Sequence, residues 1–170
     1  VLAVFPQHED AVAALERLID EDTLRGRVIE LLEPIYTEQQ AWEPLIAILR
    51  LKVEDLGEPA ERVAIHHQIA DLYSDRLEIV EESFRYLGHA LVEQPDREDT
   101  RQKMTDLAEL TDGWDSLILT LEEVREQQDE SAHRRQTNLW LGELYETRSE
   151  DYDSSIQRYQ DVLESDELNH

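Results

Sequence analysis

Apolar residues return at steps of three and four along almost the whole chain, as at Ile65, Ile69, Leu72 and Tyr73 and again at Leu117, Ile118, Leu121 and Val124. That step is the turn of an α-helix burying one stripe. The pattern predicts nine helices, near 9–20, 23–37, 41–56, 59–75, 78–93, 97–111, 114–128, 131–147 and 152–165. The short links between them carry helix stops and starts: Gly57-Glu58-Pro59, Pro95-Asp96, Asp112-Gly113 and Ser149-Glu150-Asp151. Links this short force neighbouring helices antiparallel, and none is long enough to part the chain into two domains.

The pattern also repeats. Sliding the chain by 72 residues lays Trp42 on Trp114, and then Leu45, Ile46 and Leu49 on Leu117, Ile118 and Leu121 without a gap. The same shift pairs Ala60 and Arg62 with Ala132 and Arg134, Leu72, Tyr73 and Arg76 with Leu144, Tyr145 and Arg148, Ser83 with Ser155, and Leu91 with Leu163. Shared helical periodicity alone matches Leu to Leu, but it does not match Trp, Tyr and Arg at one offset. Four helices fill the 72 residues, so the unit is a helix pair of about 36, close to the 34 of the tetratricopeptide repeat.

The residues resemble a degenerate tetratricopeptide array, whose pattern asks for L-G-x2-Y in the first helix, A-x3-F in the second and Pro at the exit. Leu141-Gly142 with Tyr145, then Ser155 and Tyr159, supply it once; Ile69-Ala70 with Tyr73, then Ser83, Leu87 and Pro95, supply it again. The other two pairs are shorter between their helices: Ile35-Tyr36 leads to Trp42, Leu45 and Leu49, and Leu107-Ala108 leads to Trp114, Leu117 and Leu121. The family's first-helix Trp is replaced by His66 and Asn138. The alternation of short and long pairs is similar to arrays common in large bacterial proteins. The resemblance implies an all-α fold: a right-handed superhelical α-solenoid of antiparallel pairs at 23–58, 59–96, 97–130 and 131–168, with 1–22 as a partial repeat or extra helix. The helix at 9–20 fits either parity. Its Ala11, Val12, Leu15 and Ile19 match a second helix, while Pro6 before it resembles Pro95 before a first helix.

Composition agrees with helix: five Gly, five Pro and two Phe among 170 residues leave little for hairpins and aromatic strands. No apolar run reaches the length of a membrane span, so the chain reads as soluble, with the compartment open and the cytoplasm slightly favoured. It opens in mid-pattern at Val1-Leu2-Ala3-Val4-Phe5, as a segment of something longer would. The absence of Cys excludes a disulfide framework and thiolate metal sites without fixing the compartment. Forty-one acids against 16 bases give a net charge of −25, which repels phosphate backbones and anionic lipid, so neither nucleic acid nor membrane is an expected partner. Salt or solubility adaptation accounts for the same bias.

Chemistry is sparse. No Gly-rich phosphate loop, zinc-protease histidine pair or nucleophile elbow is present. His67 and Asp71, four apart, share a helix face as two metal ligands would, but a site needs a third and a fourth. Acid pairs such as Glu81-Glu82 and Glu122-Glu123 are what 41 acids produce by chance, and Arg134-Arg135 is too small for a nucleic-acid stripe. An enzyme needs convergent groups that break the repeat, and few do. No catalytic residue, metal or cofactor is expected. The resemblance instead implies a concave groove lined by first helices. It takes His67, Asp71, Ser74 and Asp75 from one pair, Gln102, Asp106 and Glu109 from the next, and Leu139, Glu143 and Glu146 from the last. Groove acids without bases favour a basic or amphipathic protein segment as partner. A structural spacer with no groove ligand is the alternative.

Overall fold

The computed structural model describes residues 9–167, and all of its regular structure is helical, with no strand among the described residues. Nine α-helices follow one another: α1 Glu9–Glu16, α2 Asp22–Gln39, α3 Trp42–Asp55, α4 Pro59–Leu72, α5 Val80–Glu93, α6 Glu98–Thr111, α7 Trp114–Gln127, α8 Ser131–Thr147 and α9 Tyr152–Glu167. One wide π-turn, Tyr73–Leu77, extends α4. The expected all-α class and helix number hold. The largest boundary difference is in α1, where the helix ends at Glu16 and tighter bonds such as Leu18 N–H to Leu15 O, 2.9 Å, carry the chain to α2. Pro6 lies outside the described residues, and the structure leaves the parity of α1 as the sequence left it.

Ends of helices follow from the backbone more than from caps. Gln40, Glu78, Asp112 and Glu150 take left-handed φ values of 52 to 57°, a conformation usually given to Gly. The positions fall in two pairs 72 residues apart, and so do their hydrogen bonds. Ala41 N–H to Tyr36 O, 2.9 Å, is matched by Gly113 N–H to Ala108 O, 3.0 Å. Ile79 N–H to Tyr73 O and Asp151 N–H to Tyr145 O are both 2.9 Å. Side chains follow the same offset. The Arg76 guanidinium stands over the Trp42 ring at 5.3 Å, and Arg148 stands over Trp114 at 3.9 Å. Arg62 donates to the Leu56 and Gly57 carbonyls of the link before α4, at 3.0 and 2.9 Å, and Arg134 donates to the equivalent Gln128 carbonyl before α8.

The core is one continuous cluster from Val12 to Leu144, with Phe84, Leu32, Leu49, Ile69, Met104, Leu117, Leu121 and Leu141 almost wholly buried. Each helix packs on the next in sequence, most broadly α4 on α5 and α8 on α9, and α5 also packs on α7. Two glycines permit close crossings. A Cβ on Gly88 would stand 2.7 Å from the Thr120 methyl of α7, and one on Gly142 would stand 2.7 Å from the Tyr159 ring of α9. Ser155 Oγ completes the second crossing by donating to Gly142 O at 2.9 Å. Among the described residues no broad interface joins α3 to α5 or α7 to α9; a cleft floored by α4 opens between α3 and α5, whereas Arg158 of α9 reaches Glu122 of α7.

The last helix is partly uncovered. Tyr152, Ile156 and Leu163 of α9 are 59, 54 and 64% exposed, whereas Phe84 and Leu91, equivalent to Ile156 and Leu163, are 0 and 2% exposed beneath α6 and α7.

Candidate functional site

Helices α4, α6 and α8 carry the residues expected to line a groove, and side chains join these helices across the gaps between them. His67 Nε2 lies 2.8 Å from Thr100 Oγ1, Lys103 Nζ pairs with Asp71 at 2.5 Å, and Arg148 reaches Glu109 at 3.9 Å. Arg101 lies over the Trp140 ring at 4.7 Å. Ser74 donates to Asp75 at 3.0 Å, and Gln102 donates to Asp106 at 2.7 Å on the same helix. Tyr159 OH donates to Glu146 at 3.2 Å. Asp75, Asp106, Glu109, Glu143 and Glu146 are exposed, and Leu139 keeps 39% of its surface in water.

One expectation is corrected here. The face is not free of bases, because Lys103 of α6 and Arg148, just past the end of α8, reach its acids. These contacts link residues 32 and 39 apart, on helices whose relative rotation the sequence pattern does not set. His67 and Asp71 turn to different partners, and no group of three metal-binding side chains occurs among the described residues. Burial lowers the His67 pKa, which favours the neutral ring where it meets Thr100. Arg97, bonded to the Asp99 carboxylate beside it, pulls that carboxyl down to about 2.

A second concentration of chemistry lies elsewhere, in the cleft between α3 and α5. A cavity of about 400 Å³ is lined there by Arg50, His66, Ile69, Tyr86, His89 and Glu93, among others. His66 and His89 rings stand 5.6 Å apart, both within 6.0 Å of Tyr86, and Tyr73 stacks behind Tyr86 at 5.6 Å. His66 is 8% exposed, and its Nδ1 is buried without a hydrogen-bond partner. Burial first, then the neighbouring His89, pushes its pKa down to about 4. Glu93 is held by Arg62 in a two-pronged bond of 2.8 and 2.6 Å, which lowers its pKa. Periodicity alone does not reveal this cleft, because His66 and Tyr86 sit on core-facing stripes. The available signal was the 72-residue comparison, which sets Arg50 against Glu122, Tyr86 against Arg158 and His89 against Asp161.

No protein-family model matches this chain, and no curated protein matches it.

Proposed function

We propose that this chain is a tetratricopeptide-like array of antiparallel helix pairs, wound as a right-handed superhelical solenoid, that serves as a scaffold for a basic or amphipathic protein segment. The observation that carries the reading is that α4 with its π-turn, α6 and α8 expose acids at Asp75, Asp106, Glu143 and Glu146 together with Leu139. Clustered carboxylates on one face attract a basic segment and hasten its encounter, and the exposed Leu offers an anchor for an apolar side chain. The recurrence of caps, clips and ring contacts at an offset of 72 residues supports a stacked array. No helix among the described residues is long and apolar enough to cross a membrane.

A spacer role, with no ligand on this face, is favoured by the acids that are already engaged: Asp71 by Lys103, Glu109 by Arg148 and Glu146 by Tyr159. Charge reversal separates the two readings. An amphipathic Leu/Lys peptide serves as probe, and Asp106→Lys with Glu143→Lys is compared with Glu123→Lys plus Glu126→Lys, both exposed on α7. The two double variants change net charge equally. A scaffold face loses the peptide only with the first, and equal losses leave nonspecific attraction and the spacer reading.

A further inference from the structure

By the 72-residue offset the α3–α5 cleft corresponds to the space between α7 and α9, and the two differ in one chemical respect. Between α7 and α9, Glu122 provides a central carboxylate on which three side chains converge. Arg125 Nε donates to it at 3.0 Å, Tyr145 OH donates at 3.1 Å, and Arg158 approaches at 3.8 Å while pairing with Asp161 at 3.0 Å. The buried Nε and Nη1 of Arg158 face these acids without hydrogen-bond alignment, so charge and not directed bonding holds them. The cations between α7 and α9 are thus answered by acids of the same helices.

In the cleft between α3 and α5 the central acid is absent. Arg50 stands where Glu122 stands, Tyr86 replaces Arg158, and His89 replaces Asp161. Neither Arg50 nor Tyr86 nor His89 makes a side-chain hydrogen bond or ion pair among the described residues, and His66 Nδ1 lies buried and unpartnered in the floor. Of the two acids at the rim, Glu93 is spent on Arg62, and Glu54 is exposed one turn beyond Arg50. Residues conserved between the two repeats are explained by packing, whereas this set departs from the repeat at one place and surrounds an open cavity.

We propose that the α3–α5 cleft binds a small monocarboxylate with a planar or hydrocarbon body. The carboxylate sits at Arg50, whose planar fork fits it two-pronged. The body lies against Ile69, Val53 and the Tyr86 ring, a wall of apolar surface beside a few convergent polar groups. His66 is neutral near pH 7, so Arg50 is the cation that selects the ligand. The Glu54 carboxylate at the mouth disfavours a second negative charge, which sets monocarboxylates above dicarboxylates. This site is separate from the face of α4, α6 and α8 and stands whether or not that face holds a partner.

The experiment follows the imidazole proton signals of His66 and His89 in the whole chain at constant ionic strength, with benzoate as ligand and benzyl alcohol as its uncharged counterpart. Benzoate is expected to shift both signals saturably, and benzyl alcohol is expected to bind about tenfold more weakly or worse. Arg50→Gln, at an exposed position, weakens benzoate by about tenfold while Arg27→Gln, on α2, leaves it within about twofold. N-acetylphenylalanine against its amide distinguishes a peptide terminus from a free acid as the source: tighter binding than benzoate, lost in the amide, assigns the terminus, and weaker binding assigns the free acid. Unmoved histidine signals, equal binding of benzyl alcohol, or an Arg50→Gln variant that binds like the native chain would overturn the proposal.

Discussion

Ile79 and Asp151 occupy the same place in the two repeats, the residue before α5 and before α9, yet only one is a cap. Asp151 accepts from Ser154 N–H at 3.1 Å and from Ser154 Oγ at 2.7 Å, while Ile79, 41% exposed, satisfies nothing at the start of α5 with its side chain. Ile79→Asp is expected to raise unfolding free energy by about 1 kcal/mol in urea titration. Glu82 stands where Ser154 stands and has no hydroxyl to donate, so the gain comes from the unsatisfied backbone N–H groups of the first turn alone. His66 gives a prediction in pH. Its pKa is about 4 when folded against an ordinary 6.5, so below 6.5 the unfolded chain binds more protons and stability falls with pH down to 4. The loss is of order 3 kcal/mol and is absent above pH 6.5. His66→Asn, which installs the residue found at 138, should flatten that part of the profile. It does not flatten it entirely, because burial lowers His67 and His89 as well.

At the scale of the helix, equivalent side chains have different worth according to what covers them. Phe84 on α5 is fully buried beneath α6 and α7, so Phe84→Ala should cost about 3 to 5 kcal/mol, whereas Ile156→Ala, at the matching and half-exposed position of α9, should stay within about 1 kcal/mol. Equal urea midpoints for the two variants would show that α9 is covered in solution. Helix existence was legible because the apolar period and the stop signals are local: Gly57-Glu58-Pro59 ends α3 and opens α4 with Pro at its first turn. The repeat was legible through Trp42 and Trp114, whose partners Arg76 and Arg148 the structure then seats on their rings. The α3–α5 cleft was not legible from periodicity. It depends on a gap between two helices, and His66 on the floor reads in sequence as another stripe residue. The Lys103–Asp71 pair was hidden for a similar reason, since two exposed side chains meet only once the rotation of α4 and α6 is set.

For the molecule as a whole, charge opposes compactness. Forty-one acids face 16 bases, and the ion pairs recover only part of the repulsion because most are at least partly exposed. Raising sodium chloride from about 10 mM to about 150 mM shortens the screening length from about 30 to about 8 Å. The chain should therefore melt a few degrees higher, with about 1 kcal/mol corresponding to roughly 2 to 4 °C at this size. A melting temperature that falls with salt would mean that the ion pairs outweigh the excess of acids. The pattern of interfaces bears on how the chain comes together. Because extensive contacts join only neighbouring helices, with α5 and α7 the widest step, little loop entropy is lost before each contact forms. Chains dominated by such local contacts reach the native state in microseconds to milliseconds. During synthesis α2 and α3 have their main partners as soon as both have left the ribosome, and each later helix adds to a surface already formed.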